Sequence, residues 1–298
     1  MRTIAFIGLG VMGGPMAGHL ARAGYAVTGY NRTASRAESW AANLSTEGLD
    51  VATAPTPAKA AEGKEVVMTC VGNDTDLDEV LLGPDGALSA MAQGALLIDH
   101  TTVSAAMARR VDGEAAKRGI AAVDAPVSGG QAGAETGALA VMCGGSEPAV
   151  ERARAVMQAF AARIVHVGPA GAGQTTKMAN QMCIAGTLAG LSEAIRLAQA
   201  SGLDLDAVRQ AISGGAAQSW QMDNRWDTMA AGEFDFGFAV DWMRKDLGYA
   251  LEEARGLGLS APVTALVDQF YSEIQAMGGA RQDTSALIRR LPQGKKDT

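Results

Sequence analysis

The sequence predicts an α/β protein in two parts, a doubly wound parallel sheet over residues 1–167 and an all-helical region over residues 168–298. Three observations lead there. Short apolar runs alternate with longer Ala-rich segments through the first part, the mark of a βαβ series. Several of those runs are continuously apolar, as parallel strands covered by helices on both faces must be. Beyond Gly168 such runs cease, and the chain reads as helices punctuated by glycine and proline.

Strands are expected at 4–7, 26–30, 66–71, 95–98, 121–123, 139–143 and 164–167, with a first helix over 15–23. In the second part a long helix starts near Gly173 and runs to Ser201, where Gly202 stands in the position that favours a left-handed cap. Residues 204–212 form the next helix, closed by Ser213, Gly214 and Gly215. Residues 240–257 form another, ended by Gly258, and 261–277 the last, with Pro262 in its first turn and Gly278 and Gly279 beyond it. The polar tail 292–298 is expected to fray.

A chain of 298 residues has a prior of about two domains. Hydrophobic residues at 48% and charged residues at 19% exclude intrinsic disorder, because this much apolar surface offsets the entropy of ordering. With 25 Lys+Arg against 32 Asp+Glu the net charge is −7, and no basic run exceeds two residues, so neither nucleic acid nor an anionic membrane is an expected partner. Cys70, Cys143 and Cys183 lie far apart among small or apolar neighbours. They read as buried thiols in a reducing compartment, without disulfide or zinc spacing. His19 and His166 have no companions for a metal cluster, and no metal is expected. Residues 3–21 lack Asp, Glu, Lys and Arg and follow Arg2, the charge pattern of an export signal. Glycines 8, 10, 13, 14 and 18 and Pro15 break that stretch, and residues 178–192 are shorter than the roughly 18 apolar residues a membrane span needs. A cytoplasmic protein is the expectation.

Gly8-Leu9-Gly10-Val11-Met12-Gly13 follows the first strand directly and leads into the first helix. In a dinucleotide-binding reading Gly8 permits the tight turn, Gly10 lets the backbone approach a pyrophosphate, and Gly13 allows helix and strand to pack closely. The helix N-terminus then presents N–H groups to the phosphates. The second strand ends in Tyr30-Asn31-Arg32-Thr33. An NAD-selective site places an acid here for the ribose 2′-hydroxyl, whereas the Arg32 guanidinium pairs with a 2′-phosphate and Asn31 and Thr33 donate hydrogen bonds. NADP(H) is therefore the expected cofactor, with NAD the alternative.

Three further blocks accompany this Rossmann fingerprint. They are Asp124-Ala125-Pro126-Val127-Ser128-Gly129-Gly130, Gly171-Ala172-Gly173-Gln174-Thr175-Thr176-Lys177 and Lys245-Asp246-Leu247. In this order the four resemble the β-hydroxyacid dehydrogenases, which include 3-hydroxyisobutyrate dehydrogenases and tartronate semialdehyde reductases, over nearly the whole chain. The resemblance implies a Rossmann domain followed by a helical domain, an active site in the cleft between them, and hydride transfer between a nicotinamide cofactor and a small β-hydroxy acid or its semialdehyde. It implies that Lys177 is the general acid/base, that Ser128, Gly129 and Gly130 bind the substrate carboxylate, and that Lys245 contacts the cofactor or closes the cleft. It also places Cys70 and Val71, at the end of the 66–71 run, by the pyrophosphate and ribose, and Thr102 on the nicotinamide side.

Lys177, near the start of a helix and followed by the uncharged stretch 178–192, is disfavoured as an ammonium, which brings its pKa toward the working pH that proton transfer requires. Asn180 and Gln181 lie three and four residues on, on the same helix face, where they can hold the substrate's hydroxyl or carboxylate. The family often has Asn at both places, so Gln181 is a departure that keeps the amide and lengthens the reach. His100 at a strand end reads as structural. Residues 214–220 resemble the loop that helps shape the substrate pocket. Tartronate, methylmalonate and succinic semialdehydes, glyoxylate and sulfolactaldehyde all fit the substrate class. Imine reductases share this plan but usually carry another residue at the lysine position, and a non-catalytic dinucleotide-binding module would dispense with the lysine. A homodimer or homotetramer assembled through the apolar helical part is expected.

Overall fold

The computed structural model describes residues 3–292, so Arg2 and all but Pro292 of the expected frayed tail lie outside the described residues. The chain groups into two compact units, Met1–Lys177 and Met178–Thr298.

The first unit holds strands β1 (Thr3–Ile7), β2 (Ala26–Tyr30), β3 (Val51–Thr53), β4 (Val66–Thr69), β5 (Leu96–Asp99), β6 (Ala121–Asp124), β7 (Val127–Ser128), β8 (Leu139–Gly145) and β9 (Ala161–Gly168). Between them lie helices α1 (Gly13–Arg22), α2 (Ala34–Ser45), α3 (Pro57–Ala61), α4 (Asp74–Leu82), α5 (Ala105–Ala116), α6 (Gly130–Thr136) and α7 (Glu147–Met157). The strands make one sheet in the order β3-β2-β1-β4-β5-β6-β8-β7, with β9 paired to β8. From β3 to β6 every pairing is parallel. Alternate residues of each central strand serve opposite faces. Ile4, Phe6, Met68 and Ile98 pack with Met16 and Leu20 of α1 and Val150 of α7. Ala5, Ile7, Val67 and Leu97 pack with Leu77 and Leu81 of α4 and Val111 of α5. Helices on both faces are why these strands read as unbroken apolar runs.

One edge departs from the wholly parallel expectation. β8 runs antiparallel to both β6 and β7, and β9 then runs parallel to β8. A parallel partner needs a crossover of about a dozen residues or more, and only residues 129–138 separate β7 from β8. The run at 164–167 is also not covered on both faces, for Val165 and Val167 of β9 are 43% and 38% exposed. β3 and β7, three and two residues long, carry too little pattern to be read from sequence.

Helix α8 (Ala172–Ala200) links the units, and α9 (Leu205–Ile212), α10 (Trp220–Ala231), α11 (Val240–Gly256) and α12 (Pro262–Ala276) follow. Leu188, Ile195, Trp226, Met243, Leu247 and Tyr271 form the core of the second unit. α10 was not among the expected helices. Ser219 caps it through the Met222 N–H, and it buries Met222, Trp226 and Met229 at helical spacing. The expectation of three buried thiols is corrected as well: Cys143 is buried, Cys70 half-buried and Cys183 exposed on α8. Cys183 stands in the stretch 178–192 of α8, which has no charged residue to mark the face that points outward. Among the described residues no helix is long and apolar enough to cross a membrane.

In open α/β sheets ligands bind outside the carboxyl ends of the strands, and here those ends are held by buried polar bonds. Thr69 Oγ1 and the Thr101 N–H both donate to Asp99 Oδ1, at 2.6 and 3.0 Å. The Thr101 hydroxyl accepts from the Val71 N–H at 3.0 Å. His100 donates from Nδ1 to the Ala125 carbonyl at 2.7 Å, and its ring meets Phe160 edge-on. Burial pushes the Asp99 carboxyl up to about 6, against the hydrogen bonds from Thr69 and Thr101 that lower it. Burial brings the His100 imidazole down to about 4. The two act in opposite senses on stability. Asp99, raised in the fold, contributes most at low pH and loses that contribution as pH rises through about 6. His100, lowered in the fold, contributes fully above the ordinary imidazole range and loses it as pH falls toward about 4. In melting curves from pH 4 to pH 8, D99N is therefore expected to gain stability relative to the parent as pH rises, and H100Q to gain it as pH falls.

Candidate active site

The Gly8–Gly13 turn joins β1 to α1, and two of its glycines are required by packing. Gly8 has φ +98°, and a Cβ there would strike the Cys70 carbonyl. A Cβ on Gly13 would strike the Gly8 carbonyl and come within 2.9 Å of the Phe6 ring. Gly10 is different, since a Cβ built there meets nothing within 4 Å. Its backbone faces open space. The first turn of α1 has no side-chain cap; Gly14 donates its N–H to the Gly10 carbonyl at 2.9 Å, Met16 to the Met12 carbonyl at 3.3 Å, and Pro15 has no N–H. Leu9 donates its N–H to Asn31 Oδ1 at 3.1 Å, and Asn31 Nδ2 donates to the Thr33 carbonyl at 3.1 Å. Asn31 thus ties the glycine turn to the end of β2. Val11 is exposed and Met12 half-buried.

The structure brings Cys70 and Val71 beside this turn: Cys70 through the Gly8 contact, and Val71 also near the same glycine and bonded to Thr101. Thr102 follows and is half-buried. Arg32 lies at the mouth of β2, largely exposed, with Nη1 2.9 Å from Asp76 Oδ1 in the first turn of α4. Thr33 precedes α2 without a capping bond. Ser128 ends β7, and Gly129 and Gly130 have φ of +128° and +61°, a left-handed turn that glycine supports and that opens α6.

The start of α8 carries the Gly171–Lys177 motif. Lys177 is buried, 8% exposed, in the second turn of this 29-residue helix. The Asp124 carboxylate at the end of β6 accepts the Gly171 N–H at 2.8 Å and the Gln174 N–H at 3.0 Å. Burial raises its pKa above the usual carboxylate range, opposed by these backbone bonds. Gln174, fully buried, donates from Nε2 to the Thr101 carbonyl at 2.7 Å and accepts the Val103 N–H at 3.1 Å. Neither Asp124 nor Gln174 is singled out by the sequence reading, although both stand inside its motifs. Their partners lie 47 to 73 residues away, and that pairing has no local signature.

In the second unit Asn180 donates to Gln181 Oε1 at 2.8 Å, and buried Gln181 donates to Asp246 Oδ2 at 2.6 Å. Lys245 Nζ is 3.3 Å from Asp246 Oδ1 and lies 5.5 Å from the centres of both the Trp242 and Tyr249 rings. The longer amide of Gln181 is therefore spent inside the fold, orienting Asn180 and joining α8 to α11. Among the described residues no three His, Cys, Asp or Glu side chains converge as metal ligands.

Residues 3–168 match the family model described as the NAD-binding domain of 6-phosphogluconate dehydrogenase. Residues 171–291 match the model described as NAD-binding of NADP-dependent 3-hydroxyisobutyrate dehydrogenase. An uncharacterized oxidoreductase of Shewanella frigidimarina is 54% identical over 99% of this chain and 100% of its own length. A probable mitochondrial 3-hydroxyisobutyrate dehydrogenase-like protein of Arabidopsis thaliana is 40% identical over 97% of this chain and 84% of its own. The structure of Mycobacterium tuberculosis 3-hydroxyisobutyrate dehydrogenase with L-serine superposes with a TM-score of 0.86 at 33% identity, covering 97% of this chain and 98% of that one. With the dinucleotide turn on a parallel sheet and a helical second unit, these matches place the chain in the 3-hydroxyisobutyrate dehydrogenase family of NAD(P)-dependent β-hydroxyacid dehydrogenases.

Proposed function

We propose that this protein interconverts a small β-hydroxy acid and its semialdehyde with NADP(H), using Lys177 as the general acid/base. The observation that carries this reading is Lys177 itself, a lysine buried to 8% exposure one turn into a helix whose start is bonded to the strand ends. A buried amine is poised for proton transfer. The nicotinamide, when bound, accepts or supplies the hydride. In the oxidative direction Lys177 Nζ takes the proton of the substrate hydroxyl as the carbinol carbon gives up hydride, and in reduction it returns that proton to the carbonyl oxygen. Ser128 with the Gly129 and Gly130 backbone holds the carboxylate, and Asn180, oriented by Gln181, reaches the hydroxyl or carboxylate. The L-serine in the M. tuberculosis structure is itself a β-hydroxy acid, which supports the substrate class.

Within the first part, residues 1–167, the cofactor lies along Gly8, Leu9, Gly10, Val11, Met12 and Gly13, with Cys70, Val71 and Thr102 farther along. Arg32 supports NADP(H) over NAD(H). Its pair with Asp76 is exposed, and such pairs are worth about 1 kcal/mol or less. The guanidinium can therefore exchange or share that partner with a doubly charged phosphate at small cost.

K177A is expected to lower kcat by about 10²- to 10⁴-fold with NADPH affinity unchanged in fluorescence titration. Retention of the parent kcat would exclude the proposed role. R32A should weaken NADPH binding about tenfold, the worth of a charge-assisted hydrogen bond, and leave NADH binding alone. The glycines give a separate check. G13A should lose about 1–3 kcal/mol in chemical denaturation through overpacking, whereas G10A should denature like the parent and bind NADPH more weakly. A panel of β-hydroxy acids and semialdehydes assayed with both cofactors tests the reaction directly.

A further inference from the structure

We propose that Asp124 and Gln174 are positioning residues that fix the first turn of α8 to the ends of β5 and β6, and so set where Lys177 stands relative to Thr102. The inference rests on the reading of Lys177 as the acid/base, and all of its residues lie within the first unit.

The geometry is specific. Gly171, which occupies the cap position of α8, has no side chain with which to cap it. Asp124 does this from 47 residues earlier, one carboxylate oxygen taking the Gly171 N–H and the other the Gln174 N–H. Two glycines make the room: a Cβ on Gly173 or on Gly144 of β8 would come within 2.8 Å of Asp124 Oδ2. Gln174 then binds the Thr101 carbonyl with its Nε2 and the Val103 N–H with its Oε1, at 2.7 and 3.1 Å. These two residues flank Thr102. One buried amide thereby grips the backbone on both sides of the residue assigned to the nicotinamide side, while its own helix carries Lys177 three residues on. A helix held only by apolar packing can slide or roll by fractions of an ångström. One pinned by hydrogen bonds in a desolvated site cannot do so without stranding polar groups, at about 1–3 kcal/mol for each. Small displacements of catalytic groups cost rate steeply, which gives this arrangement a use beyond stability.

The Asp124 carboxylate also places negative charge one helical turn from Lys177 and favours its ammonium form. The other ionisable groups around Asp124 are Asp99 and His100 at the end of β5, Cys143 on β8, Asp112 in the same small cavity wall, and Arg109 on α5, which packs against Gly171. Asp99 titrates near 6 and His100 near 4, and burial pushes Cys143 up to about 12, so none of these three titrates between pH 7 and 10.

The test uses the full-length enzyme with D124N, Q174M and K177A, assayed for kcat in the reductive direction across pH and for NADPH binding without substrate. Q174M keeps the volume and the charge and removes both side-chain bonds. It should lower kcat about 10- to 100-fold with NADPH affinity within twofold of the parent and an unmoved alkaline limb. D124N should lower kcat similarly and move the alkaline limb to lower pH, the direction in which removing a negative charge from beside an amine moves its titration. In the K177A background Q174M should change the residual rate less than twofold, because it acts through the lysine. A Q174M enzyme with parental kcat, or one whose loss is undiminished in K177A, overturns the proposal, as does an unmoved limb in folded D124N. Should D124N fail to fold, the Q174M and double-variant results decide alone. If K177A itself keeps full activity, the failure belongs to the acid/base reading instead.

Discussion

A carboxylate buried at the end of a strand has to be met by donors, and in this fold the donors are the first N–H groups of the longest helix. Removing Asp124 from water carries a desolvation penalty of several kcal/mol, which only hydrogen bonds in good geometry can offset. The start of α8 supplies them, and in return has its unpaired N–H groups satisfied. Much of what surrounds this bond follows from it. Glycine is needed at 144 and 173 because the carboxylate fills their side-chain space. Gln174 is carried into the sheet's carboxyl edge, where its amide meets the backbone of residues 101 and 103.

The same edge shows two different reasons for a glycine. At positions 8 and 13 the chain excludes a side chain by its own packing. At position 10 it leaves open space, so packing within the chain does not require glycine there. The polar bonds behind the edge, Thr69 and Thr101 to Asp99, Asn31 to Leu9 and His100 to Ala125, add little net stability, because each replaces a bond to water. Their effect is to give the strand ends one arrangement.

Much of the sheet was legible because its central strands are covered on both faces. Residues 4–7 and 26–30 are strands in the fold as expected, the run expected at 66–71 ends as a strand at Thr69, and the glycine turn follows the first of them directly. Legibility fails where burial is partial or an element is short. β3 is three residues long and mostly exposed, and α10 mixes Asp, Asn and Arg with its three buried side chains. The direction of β8 escapes a pattern-based reading altogether, since an apolar run looks the same whichever way it points. In the candidate site, Lys177, the glycine turn and the Ser128–Gly130 segment were found by motif. Asp76, the partner of Arg32, and the inward use of Gln181 were not, because each depends on a side chain from a distant element.

What the sequence determined by itself is the kind of element at each place and the chemistry it carries: a glycine-rich turn after β1, a cation after β2, an amine early in a long helix of few charges. These are local properties, set by spacing along a few residues and by the preferences of glycine, proline and apolar side chains. Tertiary structure decided which groups meet. Asp124 reaches across 47 residues to Gly171, Gln174 across 73 to Thr101, and Gln181 across 65 to Asp246. A hydrogen bond is a few ångströms long and leaves no periodic trace in either partner's neighbourhood, so such pairings exist only once the chain has folded.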